Sequence, residues 1–376
     1  MSQAEIRVDL RAISTNVARL RDATEASGAE VMAVVKGDGY GHGMVPAARA
    51  ALRGGATWLG ACTVGEALEL RRSGITDRTL AWLWSPADPL GEAIAQDIDL
   101  SAASLMQLDA IVAAAGGRRA RVHLKIDTGL ARGGATVEEW PALCEAAAKA
   151  QVEQAVEVVG VWSHLVYADV PDHATTDRQL ARFTDGLREA ERFGIDPEVR
   201  HLANSAATLT RPDTHFDLVR PGIATYGLSP VPGQDFGLRP AMTVRARVLL
   251  TKQVPAGQGV SYGHTYTTTR ETTLALVPLG YADGVPRAAS GKGPIRLAGA
   301  TRTIAGRVCM DQVILDCGDD QVREGDLAVL FGPGDDGEPT ADDWAAAVDT
   351  INYEIVTRMG STRVPREYVG GEGDDA

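Results

Sequence analysis

The sequence has little that would indicate a disulfide framework, a zinc site or a membrane span. Only four cysteines occur among the 376 residues: Cys62, Cys144, Cys309 and Cys317. They are scattered and form no CxxC pair, which argues against both structural zinc and disulfides, so we predict no metal site. No apolar run approaches the length of a membrane-spanning helix, and the first residues do not resemble a secretory signal. We therefore expect a cytoplasmic protein.

Basic residues are too few for a nucleic-acid or membrane-surface protein. Lysine and arginine number 37 against 50 aspartates and glutamates, which gives a net charge of −13. This balance disfavours nucleic acids and anionic membranes as partners and leaves small molecules as the expected ligands. The length exceeds what one hydrophobic core usually serves, so we expect two domains.

Strand-like and helix-like segments alternate about eight times in the first part of the chain. Between the strand-like runs lie Ala-, Leu-, Glu- and Arg-rich stretches with helical spacing, such as "RQLARFTDGLREAERFG". Eight repeats of strand and helix predict a (β/α)₈ TIM-type barrel. The eight runs are "VMAVVK", "TWLGAC", "TLAWLW", "IDLSA", "RVHLKID", "VVGVWSHL", "EVRHLAN" and "FDLVRPGI".

The pattern changes near residue 240 to β-rich segments broken by glycine and proline, such as "MTVRARVLLTKQV" and "TLALVPLGYADG". We predict a barrel domain over residues 1–240, whose first residues pack with the second domain, and a mostly β C-terminal domain over residues 241–376. The final "GGEGDDA" is predicted to be a frayed tail.

Polar side chains follow the strand-like runs at several places. In such barrels the residues just after the strands form the active site. Any one of these side chains would be unremarkable, but together they place cations, hydrogen-bond donors and small residues on one face of the barrel. They are Lys36, Lys125, Asp127, Arg132, His164, His201, Asn204, Ser205, Arg220 and Gly222.

The loops after the seventh and eighth strands are where barrels of this kind commonly bind phosphate. A phosphate site lined by backbone amides, with a lysine opposite, suits pyridoxal phosphate, because an amine forms an imine with its aldehyde. We predict that a rigid strand presents Lys36 and that the glycines of "KGDGYGHG" let Tyr40 and the backbone approach this cofactor.

Motifs along nearly the whole chain resemble those of the bacterial alanine racemases, pyridoxal phosphate enzymes with a barrel domain and a β domain. The resemblance implies interconversion of L-alanine and D-alanine, with D-alanine supplied for peptidoglycan. The motifs, in order, are "AVVKGDGYGHG", "HLKIDTGLARGG", "HLANSAA", "VRPGIATYGL", "VSYGHTY", "LGYADG", "GRVCMDQ" and "INYEIVTRMGSTRVPR".

The resemblance also implies which residues move protons. Lys36 corresponds to the imine lysine and the base on the D-alanine face, and Tyr262 to the base on the opposite face, supplied by the partner subunit. Racemisation needs two opposed bases, because one removes the α-proton while the other returns a proton to the far side. The implied assembly is a homodimer with shared active sites.

Arg220 is implied to hydrogen-bond the pyridine nitrogen of the cofactor. A guanidinium stays protonated, so the ring nitrogen should stay unprotonated, which weakens the ring as an electron sink and suppresses transamination. Tyrosine has an ordinary pKa of about 10, so the Tyr262 anion needs stabilisation. The family solution resembles a chain from Arg220 through His164 to the tyrosine.

The remaining roles follow from the same resemblance. Arg132 corresponds to a residue near the cofactor's phenolic oxygen and the substrate carboxylate, and Met310 to a partner backbone amide that binds that carboxylate. Lys125 corresponds to a lysine that is carbamylated in several relatives, and Tyr281 and Tyr353 resemble the gate of the substrate channel. The implied phosphate and cofactor contacts are Tyr40, Asn204, Ser205, Gly222, Ile223 and Tyr353.

Departures from the family pattern leave the substrate range open. "GDG" follows Lys36 where many relatives have Ala-Asn-Ala, and His264 lies close to Tyr262 in sequence. A racemase of serine, of lysine or of broader range is therefore the alternative. A decarboxylase is disfavoured because related decarboxylases hold phosphate with a glycine-rich loop. A non-catalytic pyridoxal phosphate protein would lack the second domain that carries "VSYG" and "CMDQ".

Overall fold

A computed structural model describes residues 3–371, which form two compact units. One unit contains residues 13–39 and 47–238, and the other contains residues 3–12, 40–46 and 239–371. Of the predicted frayed tail, residues 372–376 lie outside the described residues.

The strands are short, as the β-branched runs in the sequence predict. They are β1 (Ala4–Asp9), β2 (Glu30–Val34), β3 (Trp58–Ala61), β4 (Arg78–Ala81), β5 (Ile98–Ala102), β6 (Ala120–Lys125), β7 (Val156–Trp162), β8 (Val199–His201), β9 (Leu218–Val219), β10 (Met242–Arg247), β11 (Leu250–Val254), β12 (Gly259–Val260), β13 (Tyr266–Thr267), β14 (Thr272–Val277), β15 (Pro294–Leu297), β16 (Ala300–Thr303), β17 (Val313–Asp316), β18 (Leu327–Phe331) and β19 (Arg366–Val369).

The helices alternate with the strands of the first unit and are few in the second. Several begin at hydroxyl caps, and Thr63 and Glu66 form a reciprocal capping box at the helix Val64–Arg72. The helices are Leu10–Thr24, Met44–Arg53, Val64–Arg72, Leu90–Ala95, Leu105–Ala114, Trp140–Val152, Ala174–Arg192, Ser205–Thr210, Ala341–Val348 and Asn352–Arg358.

Strands β2 to β9 form a parallel sheet in the order β8-β7-β6-β5-β4-β3-β2-β9. Backbone hydrogen bonds from Asp217 N to Arg200 O and from Arg220 N to Ala203 O join the end strands at 3.1 and 2.9 Å. The prediction of an eight-stranded barrel followed by a mostly β region is confirmed. The last two strands are shorter than the runs that predicted them: β8 ends at His201 and β9 at Val219, and beyond them the pairing continues only as an isolated bridge between Asn204 and Arg220.

The barrel interior is closed by large apolar side chains. Met32, Trp58, Leu80, Val199 and Leu218 pack together, each buried or nearly so. Such an interior is a packed core and not a channel. Reacting groups are therefore confined to the end at which the strands finish.

The chain beyond β2 turns in a left-handed sense. From Gly37 to Gly41 five successive residues have positive φ, between 52° and 82°. Glycine adopts this conformation without strain, whereas Asp38 and Tyr40 at φ 52° and 53° do not. The repeated glycines of this segment are therefore a backbone requirement.

The other unit contains three sheets. The largest has the order β16-β15-β18-β10-β1-β19, and β1 pairs antiparallel with β10 and parallel with β19. Strands β11, β14 and β17 form a second sheet, and β12 and β13 a small hairpin. Among residues 3–371, no helix has both the length and the apolar character needed to cross a membrane.

Candidate active site

Lys36 lies just beyond the end of β2, where the left-handed turn begins. Its side chain is half-buried, and Nζ stands 5.7 Å from the centroid of the Trp82 ring. Burial, helped by the charge of Arg132, lowers the pKa of the Lys36 amine against the opposing effects of Cys62 and Glu66. A larger fraction of the amine is therefore in its neutral, nucleophilic form at a given pH than in an ordinary lysine.

Glu66 ties the turn after Lys36 to the neighbouring strand. Its Oε1 accepts the N–H of Gly37 at 2.7 Å, and its Oε2 accepts the N–H groups of Cys62 and Thr63 at 2.8 and 3.0 Å. One carboxylate thus satisfies three backbone donors at the ends of β2 and β3. This fixes the backbone on which Lys36 is carried.

Arg220 is buried directly after β9. Its Nη2 donates to the carbonyl oxygens of Ser163 and Leu202 at 2.7 and 3.2 Å, and its Nη1 lies 3.1 Å from Nδ1 of His201. Burial lowers the pKa of Arg220 to about 9, which leaves a guanidinium at neutral pH. Among residues 3–371, these contacts use three of the five N–H groups of Arg220, so the Nε–H and one Nη1–H remain for a ligand.

Two further groups are made less basic by the same positive environment. Burial, followed by the charges of Arg220 and Arg132, lowers the pKa of Lys125 to about 8. Burial and the charges of Arg220, Arg132 and both lysines hold the pKa of His164 well below its ordinary value, so that His164 is neutral. The barrel end is therefore a concentrated positive field that favours an anionic ligand.

Two indole rings lie under these cations. The Arg220 guanidinium is 4.9 Å and Nζ of Lys125 4.3 Å from the Trp162 ring centroid. The Trp82 and Trp162 centroids are 6.1 Å apart. Cation–π attraction offsets part of the cost of holding like charges together. Trp162 also stacks on His201, with the ring planes 3° apart.

The loops after β8 and β9 meet through Ser205. Its buried Oγ accepts the N–H of Gly222 at 2.8 Å and that of Ala224 at 3.4 Å, which brings the predicted phosphate residues Ser205, Gly222 and Ile223 into one place. Asn204 acts as a helix cap, since its Oδ1 accepts the N–H of Ala207. Its side chain is thus already engaged in shaping the loop.

Arg132 lies on an exposed loop after β6. Oδ1 of Asp127 accepts the N–H groups of Gly129, Leu130 and Ala131 at 2.8 to 3.2 Å, which coils this loop. The loop thus carries Arg132 where its charge reaches Lys36, Lys125 and His164.

The remaining predicted site residues belong to the other unit. Tyr262 follows β12 in a short turn and is 70% exposed, an unusual exposure for a tyrosine. The turn is held by Ser261, whose Oγ donates to Arg307 O at 2.7 Å. The exposed Tyr262 ring, held on a fixed turn, is suited to contacting a molecule that lies outside its own unit.

Tyr281 and Met310 are brought together, and both are exposed. Tyr281 N donates to Cys309 O, and Ala282 N to Met310 O, both at 3.0 Å. Gly280 permits this approach, because a Cβ there would lie 2.2 Å from Met310 O.

Tyr40 and Tyr353 also lie near each other in that unit, with ring centroids 6.3 Å apart. Tyr353 is on the helix Asn352–Arg358, which approaches the left-handed turn closely: a Cβ on Gly41 would lie 2.3 Å from Val356 O. Glycine at 41 is therefore required by both φ and space.

The sequence interpretation did not identify several residues that shape the site. Glu66, Trp82 and Trp162 surround the lysines, and Asp99 and His123 lie deeper in the barrel. Trp82 and Trp162 follow or end their strands in the same way as Lys36 and Lys125 do. Reading every residue at the strand ends, and not only the charged ones, would have found the two indoles.

Comparisons with known proteins agree with this geometry. Residues 8–230 match the family model "Alanine racemase, N-terminal domain", and residues 241–368 match "Alanine racemase, C-terminal domain". A curated alanine racemase of Salinispora arenicola is 71% identical over 372 residues, covering 98% of this chain and 99% of that protein.

Solved structures are equally similar. The alanine racemase of the D-cycloserine producer Streptomyces lavendulae superposes with a TM-score of 0.96 at 54% identity, covering 99% of this chain and 98% of that one. The alanine racemase of Streptomyces coelicolor A3(2) has a TM-score of 0.96 at 53% identity, with 98% of each chain covered.

Proposed function

The chain belongs to the alanine racemase family and has that family's activity, and from this premise we propose that it racemises alanine with pyridoxal phosphate held on Lys36. The observation that carries the cofactor assignment is the pairing of two groups at one end of the barrel. Lys36 is a lysine with a lowered pKa, and Arg220 is a buried arginine whose Nε–H has no partner among residues 3–371.

The residues present fit this cofactor. Lys36 supplies the amine, and Ser205 with the Gly222 loop supplies a compact polar corner for a phosphate. Nε–H of Arg220 suits an unprotonated aromatic nitrogen as its acceptor, whereas a carboxylate in the same place would accept a hydrogen bond from, and so stabilise, the protonated ring nitrogen. The positive field of Lys125, Arg132 and Arg220 matches the negative charge of the phosphate and the phenolic oxygen.

When bound, pyridoxal phosphate supplies an electron sink that acidifies the α-C–H bond of an attached amino acid. Lys36 would then accept or return the α-proton on one face of the substrate. Tyr262 would do so on the other face, from a turn that exposes its ring. Because one base would remove the α-proton and the other would return a proton to the opposite face, the configuration inverts.

Other side chains would orient the reaction. Arg132 is placed to neutralise the substrate carboxylate, since its charge already acts on Lys36. Arg220 would hold the ring nitrogen unprotonated, which would weaken the ring as an electron sink and so disfavour transamination. His164, kept neutral, can accept a hydrogen bond from one neighbour and donate one to the next.

We also propose that two chains assemble as a homodimer and that each contributes Tyr262, Met310 and Tyr281 to the other's site. All three are 40% or more exposed, which supports a role outside their own unit. The physiological product is D-alanine for peptidoglycan, made in the cytoplasm.

The test is racemisation of L-alanine in deuterated water by the full chain loaded with pyridoxal phosphate. We expect D-alanine carrying deuterium at the α-carbon, detected by chiral separation and mass spectrometry. A Lys36→Ala variant serves as the matched control. Failure of the loaded protein to form D-alanine would refute the proposal, and turnover of serine or lysine in the same assay would define its substrate range.

A further inference from the structure

A chain of hydrogen bonds runs through the barrel from Asp99 to Arg220. Oδ2 of Asp99 lies 3.0 Å from Nε2 of His123, and Nδ1 of His123 lies 2.9 Å from Nε2 of His201. Nδ1 of His201 is 3.1 Å from Nη1 of Arg220. All four residues are buried, the two imidazoles completely. The path crosses the barrel from β5 through β6 and β8 to the residue that follows β9.

The chemistry of the two ends fixes the direction of every bond in this chain. A guanidinium only donates, so Nδ1 of His201 must accept and its Nε2 must carry the proton. That proton is donated to Nδ1 of His123, whose own proton therefore sits on Nε2 and is donated to the Asp99 carboxylate, which only accepts. Both histidines are then neutral, which agrees with the lowering of their pKa values by burial.

This chain of hydrogen bonds links the buried Arg220 cation to the buried Asp99 anion, although the two side chains are not hydrogen-bonded to each other. Among residues 3–371, no carboxylate is hydrogen-bonded to Arg220, whose other contacts are carbonyl oxygens. Burial alone would raise the pKa of Asp99, but the hydrogen bond from His123 and the charge and hydrogen bond of Arg121, whose Nε donates to Oδ1 of Asp99 at 2.8 Å, lower it. Asp99 is thus an anion held on both oxygens, with Arg121 on Oδ1 and His123 on Oδ2, whereas the Arg220 cation is linked to a carboxylate only through the two imidazoles.

The packing around the two imidazoles restricts their orientation. A Cβ on Gly160 would lie 2.1 Å from Nδ1 of His123, so only glycine leaves room for the ring. Trp58 meets the His123 ring edge-on, and Trp162 covers the face of His201. Rings held on their faces and edges keep their hydrogen-bonding nitrogens in line.

We propose that Asp99 is a positioning residue for Arg220, acting through His123 and His201, and that it sets the direction in which Arg220 presents its Nε–H to the cofactor ring. The proposal deepens the proposed function and rests on it for the identity of the ring. The hydrogen-bond chain itself belongs to the protein alone, so it can be measured whether or not alanine is racemised.

The first test is ¹⁵N NMR of the full chain labelled at its seven histidines, with and without pyridoxal phosphate, assigned with His123→Asn and His201→Asn variants. We expect both rings to be neutral with the proton on Nε2 in each state. A proton on Nδ1 of either ring, or two protons on either ring, would overturn the proposal. This test needs no variant at Asp99 and so does not depend on how that variant folds.

The second test compares Asp99→Asn with Glu198→Gln. Glu198 is the control, because it pairs with Arg121, as Asp99 does, and additionally with Arg78, while no hydrogen bond among residues 3–371 joins it to either histidine. An amide at position 99 lacks the negative charge. If its NH₂ group faces His123, every hydrogen bond of the chain must reverse its direction, and Nδ1 of His201 would then carry a proton that points at the N–H of Arg220. We expect kcat of Asp99→Asn to fall about tenfold, as when outer partners of active-site groups are lost, with KM for alanine changed less than twofold.

Two further readouts separate positioning from a merely structural role. Asp99→Asn should increase the amount of transamination per racemisation event and shift the absorbance maximum of the bound cofactor, whereas Glu198→Gln should do neither. Unchanged kcat, absorbance and histidine protonation in Asp99→Asn would overturn the proposal. If the wild-type protein did not racemise alanine but both histidines carried their protons on Nε2, the proposed function would be refuted and the hydrogen-bond chain would still be supported.

Discussion

Glu66 and Gly37 lie 29 residues apart, and the carboxylate of the first accepts the backbone N–H of the second at 2.7 Å. The same carboxylate caps the helix Val64–Arg72 and accepts the N–H of Cys62. The backbone that carries Lys36 is thereby held by the next strand of the barrel. A reactive lysine at the start of a glycine-rich segment needs such an anchor.

We expect Glu66→Gln to loosen this anchor, because an amide offers one acceptor oxygen where three N–H groups need satisfaction. The free energy of unfolding should fall by about 1–3 kcal/mol, the usual cost of unsatisfied donors, and affinity for pyridoxal phosphate should weaken. Urea unfolding and cofactor titration measure the two effects. Glu69→Gln on the exposed side of the same helix is the control, and equal behaviour of the two variants would contradict the prediction.

The lowered pKa of Lys36 predicts how cofactor loading depends on pH. The neutral amine is the nucleophile and the protonated amine is inert. Because the pKa lies below the ordinary 10.5, the loading rate should rise with pH and level off before pH 10.5. Stopped-flow absorbance of cofactor-free protein mixed with pyridoxal phosphate measures this, with a blocked lysine as the reference amine. A rate that kept rising through pH 10.5 would show that the amine is not perturbed.

Removing the Tyr262 hydroxyl should abolish most racemisation without harming the fold. The ring is 70% exposed, so Tyr262→Phe leaves no buried gap, while loss of a general base typically costs about 10²- to 10⁴-fold in rate. Racemisation rate and cofactor absorbance are measured together. Tyr266→Phe is the control, because the Tyr266 hydroxyl is already bound to Asp316 at 2.7 Å. Turnover by Tyr262→Phe close to that of the wild-type protein would remove Tyr262 from the mechanism.

Gly160→Ala should destabilise the barrel. The added Cβ would lie 2.1 Å from His123 Nδ1, and over-packing a core typically costs about 1–3 kcal/mol. Thermal or urea unfolding measures the loss. Gly65→Ala is the matched control, since a Cβ there meets only Thr63 Oγ1 at 3.9 Å and alanine favours the helix. If the two variants were equally stable, the tight fit of the His123 ring would be disproved.

Lys125 is predicted to form a carbamate. Its pKa of about 8 leaves a substantial neutral fraction near pH 8, and only the neutral amine reacts with carbon dioxide. The product would be an anion facing Arg220 and Arg132, whose charges now disfavour the ammonium form. A carbonyl signal from ¹³C-bicarbonate that is lost in Lys125→Met would support this, and its absence at pH 8 would refute it.

The barrel could be predicted from the sequence because its strands are local, β-branched and separated by helical periodicity. The residues beyond the strand ends, such as Lys36 and Arg220, follow from that prediction. The first and last residues of the short strands β8 and β9 could not be predicted from the sequence, because they depend on hydrogen bonds between loops, such as that from Arg220 N to Ala203 O.

Residues that act through other residues could not be predicted from the sequence. Asp99 and His123 lie inside strands, where an alternating pattern gives no sign of which polar side chains face one another. Their pairing depends on register between β5 and β6, in which Ser101 lies opposite His123. The role of Glu66 could not be predicted either, because its bond to Gly37 joins positions that only the fold brings together.

The paired indoles of Trp82 and Trp162 give the protein an optical property of its own. Two such rings lie 6.1 Å apart and are inclined by 62°, so we expect their electronic transitions to couple and to produce an ultraviolet circular-dichroism signal that single tryptophans lack. Lys36, Lys125 and Arg220 all stand over this pair. Any chromophore bound among them would alter both the signal and the tryptophan fluorescence, so occupancy can be followed by light without a label.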